Sequence, residues 1–136
     1  MYTLTFNYLQ YFDMSESNNI TYPNPFSSFR DCSYLKTFIA DNCANLVRTP
    51  DLDIDDSVLE NISFKNCPKL RYVDPINMKD KRYDGGAISA GINLTPDGVF
   101  ENCLEIEELD FVYNVFIHNV NLTYLPKLKK ITGTLI

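Results

Sequence analysis

Hydrophobic residues along this chain recur at a spacing that predicts short strands stacked in successive coils. The segment from Leu35 to Leu46 reads L-x-x-F-x-A-x-x-C-x-x-L, and the segment from Leu59 to Leu70 reads L-x-x-I-x-F-x-x-C-x-x-L. The two segments match at five positions, and the step from Leu35 to Leu59 defines one period of the repeat. Apolar positions two residues apart fit a strand with one buried face, and we expect the following C-x-x-L to turn the chain back beneath it.

The same template begins at three further positions. They are Leu9, about one period before Leu35; Ile106, about two periods after Leu59; and Leu128, about one period after Ile106. The double interval between Leu59 and Ile106 predicts an irregular repeat in between. Gly85, Gly86 and Gly91 interrupt the hydrophobic spacing in this interval, and we place the irregular coil near residues 79–99.

The cysteines follow the same repeat. The segments 29–35 and 100–106 both read F-x-x-C-x-x-[LI], and the step from one to the other is close to three periods. This spacing makes Cys32 and Cys103 equivalent positions, just as the first template makes Cys43 and Cys67 equivalent. Small polar side chains at such positions can form an inward ladder that satisfies the backbone groups of the turns.

The repeat as a whole predicts a solenoid, because one such coil cannot bury its apolar face alone whereas stacked coils share a continuous core. We expect a single domain over residues 1–136, a repeat solenoid of about six coils. Short parallel strands would line the concave face, and turns, loops and 3₁₀ pieces would form most of the convex face. The alternative is a β-rich or α/β globular domain in which the spacings coincide by chance.

The pattern resembles the leucine-rich repeat family. Its F-x-x-C-x-x-L segments are similar to the BspA-type repeats of bacterial and protist surface proteins, and the resemblance covers the chain from Leu9 to Ile131. It implies a right-handed, α/β-type leucine-rich-repeat solenoid that acts through protein–protein contact or adhesion.

Composition and charge narrow the possible partners. The 136 residues include 18 Asp and Glu against 12 Lys and Arg, a net charge of −6, and such a chain would repel the phosphates of a nucleic acid. No apolar run approaches the roughly 20 residues that span a bilayer, and residues 1–12 do not resemble a signal peptide. We expect no nucleic-acid partner and no membrane span. The compartment stays open between the cytosol, the cell surface and a virion.

Residues that could support catalysis or bind a metal are few. Asp51, Asp53, Asp55 and Asp56 resemble the start of a calcium loop, but the Gly and Glu of an EF-hand are missing, which favours a solvated turn. His118 is the single histidine, and it follows a hydrophobic residue at a predicted coil turn rather than a nucleophile. We therefore predict no enzyme activity, no catalytic residue, no cofactor and no metal.

The predicted partner-binding face consists of the side chains that flank the buried positions of each strand, since these project from the concave sheet. We predict that a protein partner contacts Tyr11, Asp13, Thr37, Ile39, Asp41, Asn61, Lys65, Glu108, Asp110, Val112 and Tyr113. Aromatic and aliphatic side chains among polar ones are typical of binding hot spots. An alternative follows from the lack of polar caps in the pattern: a structural subunit of a virion or cell-surface complex, joined through its terminal strand edges.

Overall fold

Short strands joined by turns make up most of the computed structural model, which describes residues 8–20, 29–79, 92–111, 117–118 and 120–133. Within these ranges the strands are β1 (Tyr11–Asp13), β2 (Thr37–Ile39), β3 (Asn61–Ser63), β4 (Tyr72–Val73), β5 (Ile92–Asn93), β6 (Glu108–Phe111), β7 (Ile117–His118) and β8 (Lys130–Gly133). A 3₁₀ helix spans Leu122–Tyr124. Strands this short suit a coil that changes direction every few residues.

The strands of successive coils pair in parallel and form three sheets. A first sheet contains β1, β2 and β3, a second contains β4, β6 and β8, and a third contains β5 and β7. The described chain is therefore a parallel-strand β-solenoid of about four turns with almost no helix.

The described chain makes fewer turns than the six coils predicted for the whole chain, and one of its coils is long. Tyr72 of β4 pairs directly with Glu108 of β6, so a single long coil stands where the sequence suggested two coils. The irregular coil expected near 79–99 falls within this long coil, and its residues 80–91 lie outside the described ranges.

The first sheet confirms the predicted register of its three strands. Tyr11 pairs with Thr37, and Thr37 pairs with Asn61, which reproduces the steps from Leu9 to Leu35 and from Leu35 to Leu59. The central residue of each strand turns inward, and that of β2, Phe38, is fully buried. The flanking residues face outward, as a period of two requires.

The second sheet shows that the register predicted for β6 is wrong. Aligning Ile106 with Leu59 would place β6 in the first sheet, one irregular coil beyond β3, whereas Glu108 pairs with Tyr72 on one side and with Lys130 on the other. The predicted step from Ile106 to Leu128 is confirmed, because it equals the step from Glu108 to Lys130. β4 and β6 each follow a C-x-x-[LI] turn, at Cys67–Leu70 and Cys103–Ile106, and the thiols of these two turns lie in one ladder.

Aromatic side chains form a column through the core beneath the first sheet. The ring centroids of Phe12 and Phe38 lie 5.7 Å apart, those of Phe38 and Phe64 5.7 Å apart, and those of Phe64 and Phe100 5.8 Å apart. Phe38, Phe64 and Phe100 are fully buried. Each such ring pair contributes about 0.5–1.5 kcal/mol beyond the burial of its area.

Three buried thiols form an inward ladder, in which the sequence predicted the step from Cys43 to Cys67 but not the step from Cys67 to Cys103. The Sγ of Cys43, Cys67 and Cys103 donate to the carbonyl oxygens of Met14, Ala40 and Phe64 in the preceding coil, at 3.4, 3.1 and 2.9 Å. The thiol of Cys67 and burial both raise the pKa of Cys43, so this thiol stays protonated. The predicted equivalence of Cys32 with Cys103 is wrong. Cys32 lies in the turn before β2 of the first sheet, whereas Cys103 lies in the turn before β6 of the second sheet.

Candidate functional site

The outward side of the first sheet carries five of the residues predicted to bind a partner. Tyr11 and Asp13 are exposed on β1, and Asn61 is exposed on β3. Thr37 and Ile39 lie between them on β2; Ile39 is half-buried. The Nδ2 of Asn61 lies 3.5 Å from the Oγ1 of Thr37, to which it donates. These five side chains therefore share one surface.

Two further tyrosines belong to the same pair of coils. The rings of Tyr8 and Tyr34 lie 5.5 Å apart at their centroids, and 79% and 51% of their surfaces are exposed. Tyr11 is 57% exposed. The sequence prediction included Tyr11 but missed the other two, because it considered only residues on the strands themselves. A usable signal was the recurrence of tyrosine immediately before Leu9 and before Leu35. We refer to Tyr8, Tyr11 and Tyr34 as the tyrosine group.

Asp41 and Lys65 lie just beyond the strands, at the corner of the solenoid, where Asp41 is used by the fold itself. The Oδ1 of Asp41 accepts from the Ser63 hydroxyl and, at 2.9 Å, from the backbone N–H of Lys65. Its own N–H donates to the Oγ of Ser15 at 3.0 Å. The ammonium of Lys65 lies 3.5 Å from Glu101 in the next coil. Asp41 therefore joins three coils, and its carboxylate is not free for a partner.

Two of the remaining predicted residues, Glu108 and Asp110, do not lie on this surface. Glu108 and Asp110 face outward from β6, which belongs to the second sheet. The eleven residues therefore do not form the single face that the sequence predicted, because the register of β6 differs. Val112 and Tyr113 lie outside the described residues.

The second sheet also carries a group that the sequence prediction missed. The guanidinium of Arg48 lies over the ring of Tyr72, 4.6 Å from its centroid, and its NH1 lies 2.6 Å from Asp74. Burial raises the pKa of Asp74, and Arg48 opposes that effect. Beside this group lies a cavity of about 60 Å³ lined by Asp74, Asp110 and Thr132 among others. Ligand pockets are usually several times larger, so this cavity suits a few waters or one inserted side chain.

Charges of alternating sign form two columns along the second-sheet side. Their members occupy the same register in successive coils: Lys69, Glu105 and Lys127 in one column, and Arg71, Glu107 and Lys129 in the other. The Lys127 ammonium lies 2.6 Å from Glu105, and that of Lys129 lies 2.9 Å from Glu107. Arg71 bonds Glu107 from the opposite side. Hydrogen bonds from these two cations lower the pKa of Glu107. We call these sets the charge columns.

The acidic cluster near residue 51 is paired with an arginine. The Nε of Arg30 lies 2.9 Å from Asp51, and its NH2 lies 3.7 Å from Asp53. Burial raises the pKa of Asp53, while Arg30 opposes that effect. Within the described ranges, no group of three or more His, Cys, Asp or Glu side chains is arranged to hold a metal ion. The backbone of His118 lies in β7, where it pairs with Asn93 of β5.

The described part of the chain contains no helix long and apolar enough to cross a membrane. Comparison of the sequence and structure with protein-family models, with curated proteins and with solved structures gives no match. A functional assignment therefore has to come from the exposed side chains and strand edges of this chain.

Proposed function

We propose that this protein is a non-enzymatic binding module that contacts another protein through the outward side of its first sheet. The observation that carries the proposal is the tyrosine group, three tyrosines on two neighbouring coils that are each more than half exposed. Tyrosine combines a large apolar ring with a polar tip, and it is enriched among the residues that dominate binding energy.

The packing beneath the first sheet supports this assignment. Phe12, which lies between Tyr11 and Asp13 on β1, stacks on Phe38 and meets Phe29 edge to face with centroids 5.0 Å apart. This packing and the pairing of β1 with β2 fix the backbone that presents Tyr11. A surface held in place before binding loses less conformational entropy when a partner docks.

We also propose that the solenoid is an irregular, BspA-like member of the leucine-rich repeat family with a role in adhesion. The near-constant step between β1, β2 and β3 and the F-x-x-C-x-x-[LI] turns support this kinship. Apart from one short 3₁₀ helix, the described ranges contain no helix. The convex side of such a protein would therefore consist mainly of turns.

The experiment that tests the binding role uses a partner first captured by cross-linking from the native source and then purified. Calorimetry would compare the wild-type chain with Tyr11→Ser and with the double variant Tyr8→Ser/Tyr34→Ser. We expect at least one of the two variants to raise Kd by about tenfold, which corresponds to a loss of about 1.4 kcal/mol of binding free energy. Lys127→Gln on the second-sheet side is the matched control and should bind normally. An unchanged Kd in both tyrosine variants would contradict the proposal.

A second candidate function is that of a structural subunit joined through a strand edge. Ile131 favours it, because this residue occupies the inward register of Val73 and Leu109. Those two side chains are 2% and 1% exposed, whereas Ile131 is 38% exposed. Light scattering over a range of concentrations tests this role. Self-association that Ile131→Lys abolishes would support it, and a monomer at every concentration, alone or mixed with its assembly partners, would exclude it.

A further inference from the structure

The charge columns leave their last members paired on one side only. Glu107 is bonded by Arg71 from one coil and by Lys129 from the next. Lys129 itself has Glu107 on one side, and among the described residues no carboxylate approaches it from the other side. Lys127 is in the same position with respect to Glu105. The β8 coil therefore ends the described stack with two partly paired cations.

A third lysine extends this set. Lys130 of β8 pairs in register with Glu108 of β6 and is exposed. Lys127, Lys129 and Lys130 thus present three positive charges along one edge of the solenoid. Each occupies a register at which the β6 coil carries a glutamate.

Beside these lysines, one edge of β8 is unpaired within the described chain, and a side chain at a core register is exposed. β8 pairs with β6 along one edge, and within the described chain no strand pairs with its other edge. Ile131, whose register is buried in the two preceding coils of this sheet, has more than a third of its surface exposed there. Unpaired strand edges bind further strands through their N–H and C=O groups.

We propose that the open edge of β8 binds a strand of a partner protein that carries carboxylates at the spacing of the three lysines and an apolar residue at the register of Ile131. The strand would add in parallel, so that Lys127 and Lys129, which each contact one glutamate of the β6 coil, would gain a carboxylate on their other side, and Lys130 would face one as well. The inference rests on the second candidate function, because it specifies the partner chemistry of that edge.

The chain itself supplies a probe with the required pattern. Residues 105–111, E-I-E-E-L-D-F, already lie on the paired side of β8, with Glu105, Glu107 and Glu108 at the three lysine registers and Leu109 at that of Ile131. A blocked synthetic peptide of this sequence is therefore a stand-in for the partner strand. Its controls are a peptide with the three glutamates replaced by lysine and a scrambled peptide of the same composition.

The test is an NMR titration of the isotope-labelled full chain with these peptides at low ionic strength. We expect the acidic peptide to shift the backbone signals of 130–133, and to bind at least about tenfold more tightly than either control. The triple variant Lys127→Gln/Lys129→Gln/Lys130→Gln should lose that preference, whereas Lys36→Gln, near the first sheet, should keep it. Equal binding of the scrambled peptide, no binding of the acidic peptide, or an unchanged preference in the triple variant would each overturn the proposal.

One further variant separates this edge from the tyrosine group. Tyr11→Ser should bind the acidic peptide as the wild-type chain does, because Tyr11 belongs to the first sheet. Loss of peptide binding in Tyr11→Ser would contradict an edge site, whatever that variant does to the partner of the first sheet. Ile131→Lys should abolish peptide binding while the thermal transition stays close to that of the wild type.

Discussion

The first and second sheets share an inward pattern and differ on their outward sides. Both rest on buried residues such as Phe38 and Leu109. Outside, the first sheet carries exposed tyrosines and few charges around Tyr11, whereas the second carries charges of both signs around Glu107. Since hydrophobic burial provides most of the stability, the outward side chains can differ between sheets while the fold is kept. The comparison separates residues that hold the coils together from residues that are free to contact a partner.

The largest expected effect is the loss of a buried ring from the column beneath the first sheet. Phe38→Ala should lower the free energy of unfolding by about 3–5 kcal/mol, because the side chain is fully buried and its removal leaves a cavity. The matched change on the outward side of the neighbouring strand, Tyr11→Ala, should stay within about 0.5 kcal/mol of the wild type. Urea denaturation followed by circular dichroism measures both. Similar losses of unfolding free energy in the two variants would contradict the distinction between inward and outward positions.

An intermediate effect is expected for Asp41, whose carboxylate joins neighbouring coils at the corner. Asp41→Ala should cost about 1–3 kcal/mol, since it leaves the N–H of Lys65 and the hydroxyl of Ser63 without their acceptor. Asp41→Asn keeps one acceptor oxygen and should lose less. Asp13 is exposed on the same side, and Asp13→Ala should change stability least. Chemical denaturation of the three variants would contradict this account if Asp13→Ala proved the most damaging.

The smallest effect is expected at Glu107 on the second-sheet side, and it depends on pH. Bonds from Arg71 and Lys129 lower the pKa of Glu107 below its ordinary value of 4.5. The unfolded chain therefore binds this proton more readily. The stabilisation is complete above the unfolded pKa and is lost as the pH falls through the lower folded pKa. Thermal melts between pH 6 and pH 3, roughly the range over which carboxylates titrate, should show a smaller acid-induced drop in Tm for Glu107→Gln than for the wild type.

Added salt provides the control for that comparison. Screening weakens exposed ion pairs, so the difference between Glu107→Gln and the wild type should shrink as ionic strength rises. A difference that survives high salt would assign the effect to packing around Glu107 instead of to its charge.

The first sheet could be predicted from the sequence because its repeats are complete and of similar length. The steps from Leu9 to Leu35 and from Leu35 to Leu59 gave the correct pairing of β1, β2 and β3, and the period of two gave the correct outward residues. The step from Cys43 to Cys67 in the thiol ladder followed from the same spacing. These features depend on burial of apolar residues, which leaves a clear mark in the sequence.

The second sheet could not be placed in the same way because the turn motif occurs more than once in a coil. Phe29–Leu35 and Ala40–Leu46 both fit [FA]-x-x-C-x-x-L, although they lie on either side of β2 within one period and precede strands or bridges of different sheets. The segment after Ile106 could therefore be aligned with the segment after Leu59 or with that after Leu70. Spacing alone does not decide between them, and the position of Glu108 and Asp110 depends on the choice.

The candidate surfaces depend on exposed residues, for which a single sequence holds a weaker signal. Tyr11 was identified because it lies on a strand, whereas Tyr8 and Tyr34 were missed because they precede one. The alternation of charge across Arg71, Glu107 and Lys129 becomes visible only once the long coil between β4 and β6 sets the register. In this solenoid, the exposed side chains that lie next to one another can thus be predicted only after the coil boundaries are known.

The pairing of β6 is the central claim on which the second sheet, the charge columns and the β8 edge all depend. Backbone NOEs measured by NMR on the isotope-labelled chain test it directly. We predict cross-strand contacts from Glu108 to Tyr72 and from Glu108 to Lys130, with none from β6 to β3. A missing contact between Glu108 and Tyr72 would contradict the account, since β6 would then be free to join the first sheet, as the alignment of Ile106 with Leu59 predicts, and the charge columns would be lost.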